Sequence, residues 1–161
     1  IIMTILVGAI IIPPIVLMIV MALKSPVVMS GSIKGNTLAS DLMEEILSKN
    51  WDENSTGTGP IEDILKTQPA NLGPESGETR PSFDDVDDFN GYEESPPTTQ
   101  DGSVIDGFSS YTRSVEIFYV AGGSTKDYDT PLSNVSNFKK IIVTVESPDT
   151  KNTLEAVVCN R

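Results

Sequence analysis

The chain has 161 residues and a formal net charge of −12 that is distributed unevenly. Residues 1–50 carry three acidic and three basic side chains, so the excess lies in residues 51–161, which hold 20 acids and 8 bases. Because nucleic-acid phosphates are bound by clustered Lys and Arg, this balance argues against a nucleic-acid partner. It is typical of an acidic, solvated domain behind a neutral segment.

Residues that commonly carry chemistry are scarce. The chain has no histidine, which is the most frequent general base and metal ligand. Its single cysteine, Cys159, excludes an intramolecular disulfide and lies in the run LEAVVCN, where a small buried residue is expected. Paired carboxylates of a glycosidase type need a concave pocket, and we do not expect one in so small a domain. The sequence therefore predicts a protein that is not an enzyme.

Residues 1–24 form an apolar head, with no charged side chain before Lys24. A stretch of about 20 apolar residues is long enough to cross a bilayer, which predicts a transmembrane or filament-core helix. A signal peptide is disfavoured because a basic start and a small-residue cleavage site are both missing.

Two adjacent prolines interrupt this apolar run. Pro14 removes a backbone donor and disfavours helical geometry at Pro13, while Gly8 weakens the preceding turn. The sequence predicts that the helix opens locally here, in surroundings where other protein packs around it.

Residues 25–50 are predicted to continue as an amphipathic helix that Asn50 ends. The apolar positions that define its packing face recur at helical spacing: Leu38, Leu42, Met43, Ile46 and Leu47. We expect this face to lie against the acidic domain.

Residues 51–161 form the predicted globular domain. Residues 52–112 have a loop composition, with a short helix in IEDILK, whereas 113–121, 138–147 and 152–158 are rich in β-branched and aromatic residues. The turn SPDTK should join the last two strands as a hairpin, within a sheet region of 113–158. The predicted fold class is α+β, with a long N-terminal helix whose apolar half protrudes and whose other half packs on a small antiparallel sheet.

The run FDDVDDFNGYEE concentrates acids without a base. Its oxygen donors suit Ca²⁺, and the candidate ligands are Asp84, Asp85, Asp87 and Asp88, although the spacing is not that of an EF-hand. The alternative is a turn in which Asp side chains cap backbone amides, Arg80 supplies a counter-charge, and Phe83, Phe89 and Tyr92 hold the loop on the core. The sequence leaves both open, and no cofactor is required by either.

Taken together, IIMTILVGAIIIPPIVLMIVMALKS, LASDLMEEILSKNW, GETRPSFDDVDDFNGYEESPP and the late hairpin resemble bacterial type IV pilin-like proteins, including minor pilins and pseudopilins. Members usually carry a glutamate at the fifth mature position, where this chain has Ile5. We therefore expect the mature N-terminus to lie about five residues upstream of Ile1.

The resemblance implies a structural subunit of an extracellular type IV pilus-like filament that polymerises through its apolar helix. Its implied partners are copies of itself, the pilus or secretion assembly machinery, and the inner membrane before assembly. It also implies that the helix melts near Gly8, Pro13 and Pro14. The alternatives are a minor pseudopilin of a type II secretion system and a membrane-anchored binding domain that does not assemble.

Overall fold

The computed structural model describes residues 2–55, 59–122 and 127–161, and in the N-terminal helix it describes side chains at 12–19 and from 30 onward. The helix α1 spans Ile2–Leu47. Short 3₁₀ turns follow at Asp63–Leu65, Pro69–Asn71, Arg80–Ser82 and Asp87–Phe89. The strands are β1 (Glu93–Glu94), β2 (Thr112–Tyr119), β3 (Phe138–Glu146) and β4 (Lys151–Cys159).

The described strands form one antiparallel sheet in the order β1-β2-β3-β4. β3 and β4 pair as a hairpin, with Phe138 opposite Cys159 and Glu146 opposite Lys151, which confirms the predicted hairpin. Its turn closes through the Ser147 amide, which donates to the Thr150 carbonyl at 2.8 Å. The two-residue strand β1 is not apparent in the sequence, because its acidic pair has low strand propensity.

The core lies between the C-terminal part of α1 and the sheet. α1 packs against β3 and β4, and it contributes Leu38, Leu42, Met43 and Ile46 to a buried cluster. The strands contribute alternate residues, such as Val143 and Val145 of β3, because successive side chains of a strand point to opposite faces. The apolar side chains on one face of α1 thus pack against those on one face of the sheet.

Two details of the predicted helix are wrong. Leu47 is 47% exposed and does not join the packing face. The helix ends at Leu47 and not at Asn50, because Asn50 forms a parallel bridge with Asp85 and its amide donates to the Asp84 carbonyl at 3.1 Å. Because Asn50 pairs with the acidic loop, the helix ends three residues before the predicted position.

The predicted membrane segment also needs correction. Within the described residues, no helix combines the length and apolar character that a bilayer crossing requires. This finding contradicts the pilin-like fold class with a transmembrane helix and, with it, the predicted inner-membrane location.

The predicted opening at the two prolines is likewise absent from the described helix. α1 continues through Pro13 and Pro14, whose side chains are exposed. A proline's fixed φ of about −65° is a helical value, so the path of the chain is kept. What the prolines remove are the two N–H donors that would otherwise form helical hydrogen bonds with the carbonyls of Ala9 and Ile10.

Truncation of one core residue of α1 tests this packing. We expect Leu42→Ala to lower the free energy of unfolding by about 2–5 kcal/mol, because it leaves a cavity under a fully buried side chain. The matched change Leu47→Ala should alter it by no more than about 0.5 kcal/mol. Urea unfolding followed by Trp51 fluorescence measures both, and equal losses for the two variants would contradict the assigned helix face.

Candidate functional site

The acidic loop is built as a capped turn. One oxygen of Asp85 accepts the amides of Asp87 and Asp88 at 2.7 and 3.2 Å, and Asp88 Oδ2 accepts those of Asp84 and Asp85 at 2.9 and 3.1 Å. Carboxylates that bind amides two to four residues away fix the backbone in place of regular secondary structure. The two side chains therefore fold residues 84–88 into a rigid unit.

Three aromatic rings attach this unit to the core. Phe83 and Phe89 are buried, and their ring centroids lie 5.0 Å apart in an edge-on arrangement. Tyr92 stands edge-on to both, at 6.0 and 6.3 Å. The structure thus shows the capped, aromatic-anchored turn that was the alternative to a calcium loop.

The counter-charge for the loop comes from Lys139 of β3 and not from Arg80. Lys139 Nζ is fully buried and forms an ion pair with Asp87 and a 3.3 Å pair with Asp52. It also donates to the Trp51 carbonyl at 2.8 Å and lies 4.0 Å from the centroid of the Trp51 ring. A buried ammonium needs such partners, because an uncompensated charge in the interior is strongly destabilising.

Arg80 belongs to a second network, which is centred on Glu94 of β1. Arg80 pairs with Glu45 of α1 at 2.6 Å and with Glu94 at 3.2 Å. Glu94 also accepts from Arg113 Nε of β2 at 2.5 Å and from the Thr98 hydroxyl at 2.5 Å. The network therefore ties the helix, the loop and the sheet together through largely buried charges.

The pKa values reflect these surroundings. Burial, followed by the charges of Asp87 and Asp88, raises the pKa of Asp85 to about 8. Burial would also raise the pKa of Glu94, but the Thr98 hydrogen bond and the Arg113 charge outweigh it, so that this pKa lies below its ordinary value. Burial therefore opposes the ionisation of Asp85, whereas the partners of Glu94 favour its ionised form.

The four predicted calcium ligands do not converge on one point. Asp85 and Asp87 are buried and directed at loop amides and Lys139, and Asp84 is exposed. Asp88 instead lies with Glu75 and Glu78, and one carboxylate oxygen of each residue is within 4.8 Å of the others. Sequence reasoning missed this grouping, because Glu75 and Glu78 lie ten or more positions before Asp88 in a segment of loop composition.

The N-terminal candidates lie elsewhere. Gly8 is within α1, but its surroundings fall outside the described part of the structure. Residues 12–19 are exposed without exception, and the six apolar side chains with measured exposure range from 51% to 75%: Ile12, Ile15, Val16, Leu17, Met18 and Ile19. The molecule thus presents an apolar helical surface at one place and an acidic loop at another.

Replacing the buried lysine tests the first network. We expect Lys139→Met to lower the free energy of unfolding by about 3–5 kcal/mol, because Asp52 and Asp87 lose their shared counter-charge. The control Lys151→Met breaks an exposed pair with Glu146 and should cost at most about 1 kcal/mol. Adding Asp87→Asn to Lys139→Met should recover part of the loss in urea unfolding; no recovery would mean that the charge pairing is not the cause.

The Glu94 network predicts a specific dependence on pH. Since the folded state holds the pKa of Glu94 below its ordinary value of 4.5, the stabilisation is complete above that value and is lost as the pH falls through the folded pKa. The difference in unfolding free energy between the wild type and Glu94→Gln should therefore be constant from pH 6 to 7 and shrink below pH 4.5. Urea titrations at each pH measure it, and a difference unchanged down to pH 3 would contradict the assignment.

No family model matches the chain. No curated protein and no solved structure matches it significantly either.

Proposed function

We propose that the chain is a structural subunit that assembles into a pilus-like helical filament through the N-terminal part of α1. The observation that carries this proposal is the exposed apolar stretch 12–19. A monomer rarely leaves so large a continuous apolar surface in water, and such surfaces mark interaction sites.

The arrangement of this stretch favours several neighbours over one. Eight consecutive helical positions span more than two turns of about 3.6 residues, so apolar groups point in every direction around the axis. A helix that docks in a groove of another protein needs an apolar stripe on one face only. An all-round apolar surface is covered when the helix lies inside a bundle, and further copies of this chain supply such a bundle.

Charge supports the same arrangement. The net charge of −12 lies on residues 51–161, whereas the segment before Lys24 is uncharged. Like-charged domains repel one another at close range, so they favour the outside of an assembly, while the neutral helices meet without that cost. Burial of each Ile, Leu or Met side chain contributes about 1.5–3 kcal/mol, and these contributions repeat along the helix.

The sequence resemblance supports the same role. The apolar head and the run GETRPSFDDVDDFNGY resemble type IV pilin-like proteins, whose subunits build filaments through their N-terminal helices. The proposal takes from this resemblance the filament and its helical core, and it needs no membrane-crossing helix.

One charge placed in the exposed stretch tests the proposal. The full chain is purified in detergent, the detergent is removed, and assembly is followed by sedimentation and negative-stain electron microscopy. We expect filaments from the wild type and none from Leu17→Glu, because an ionised carboxylate among packed apolar helices is strongly unfavourable.

The matched control is Ile64→Glu, which places the same charge at an apolar side chain that is 84% exposed on the acidic domain. This variant should assemble as the wild type does. Normal filaments from Leu17→Glu, or equal loss of assembly in both variants, would overturn the role of α1.

A further inference from the structure

We propose that Glu75, Glu78 and Asp88 form a binding site for a divalent cation, with Ca²⁺ as the fitting ion. One carboxylate oxygen of each residue lies within 4.8 Å of the other two. Two oxygens bound to the same ion at about 2.4 Å are at most about 4.8 Å apart, and every pair in the cluster meets this condition. Simultaneous binding of three evenly spaced oxygens needs separations of about 4.2 Å, so the two glutamate side chains close slightly around the ion.

Local hydrogen bonds hold the two glutamates together. The Glu78 amide donates to the Glu75 carbonyl at 3.0 Å, and the Glu75 amide donates to Glu78 Oε2 at 3.2 Å. Gly77 lies between them at φ +96°, a left-handed conformation that side-chain-bearing residues rarely adopt. The turn thus brings both carboxylates to the same side, facing Asp88.

Asp88 supplies an independent indication of a ligand. It is only 1% exposed, and its Oδ1 has no hydrogen-bond partner among the described residues, whereas Oδ2 accepts two backbone amides. A buried carboxylate oxygen without a partner is costly, and a cation bound by the same carboxylate removes that cost. The capping bonds of Oδ2 fix the orientation of the Asp88 carboxylate and leave Oδ1 for a further ligand.

The surrounding charge favours a cation. Among the ion pairs of the described residues, none involves Glu75, Glu78 or Asp88. Three ionised carboxylates at these separations repel one another, and a bound dication converts that repulsion into attraction.

The burial of the cluster suits calcium in a further respect. Asp88 lies at the buried end, Glu78 is partly exposed, and Glu75 is exposed. Ca²⁺ takes six to eight oxygen ligands and tolerates irregular geometry, so water completes the coordination on the open side. Mg²⁺ demands near-ideal octahedral geometry and should bind more weakly. This site lies outside α1 and does not depend on the proposed assembly.

The experiment measures thermal unfolding of the full chain in EDTA, in CaCl₂ and in MgCl₂ at matched ionic strength. We expect CaCl₂ to raise the midpoint by about 5–10 °C once it exceeds Kd about 100-fold, and MgCl₂ to raise it less. Glu75→Gln and Glu78→Gln should each reduce the calcium shift, and the double variant should abolish it. Both substitutions keep the side-chain size, so folding in EDTA should be preserved.

Two controls complete the design. Glu62→Gln removes one negative charge from an exposed position outside the cluster and should leave the calcium shift unchanged. Asp84→Asn changes an exposed residue that the sequence predicted as a calcium ligand. It should likewise leave the calcium shift unchanged. A wild-type midpoint that is the same in CaCl₂ and EDTA, or a shift that survives in the double variant, would overturn the proposed site.

Discussion

Glu94 lies between two guanidinium groups, and the rest of the domain depends on that arrangement. Arg80 reaches it from the irregular region and continues to Glu45 of α1, while Arg113 reaches it from β2. These ion pairs add directional contacts to the apolar packing between the helix, the loops and the sheet. Charged hydrogen bonds with fixed geometry specify which turn of the helix faces which strand.

The second buried network has the same purpose for the acidic loop. Lys139 is in the sheet, Asp87 is in the loop, and Asp52 follows the helix, so one ammonium holds three distant parts of the chain together. Replacing buried ion pairs by apolar residues is often neutral or stabilising in other proteins. We therefore interpret the ion pairs here as fixing the position of the acidic loop and of its buried carboxylates, and not as a main source of stability.

The sequence predicted the parts of the fold that follow from periodicity. Leu38, Leu42 and Ile46 are spaced by four residues, which places them on one helix face, and the β-branched runs before and after SPDTK could only pair as neighbours. The structure extends the second of these strands to Cys159, which pairs with Phe138 and is half-buried, not buried as expected.

The site was less predictable, because its contacts cross long intervals. The residues next to Arg80 in the chain do not show that its partner is Glu45, which lies 35 positions earlier. The aspartates that begin four positions after Arg80 are equally plausible partners in the sequence. Likewise, Lys139 is 52 positions from Asp87, and the two glutamates near Asp88 belong to a loop with no periodicity. Composition revealed an acidic loop, but only the three-dimensional path of the chain decides which carboxylates turn inward.

The contact between α1 and the end of β4 has a geometric consequence for a polymer of the proposed kind. A Cβ on Gly35 would lie 2.9 Å from Asn152 Cγ, and the Asn152 amide donates to the Ser32 carbonyl at 3.2 Å. This contact and the Glu45–Arg80 pair hold the helix at two separate heights, which sets its tilt against the domain. Ile19 lies about 29 Å along the axis from Leu38 at 1.5 Å per residue. In a filament of the proposed kind, the distance between the exposed apolar stretch and the acidic domain would then be set within each subunit.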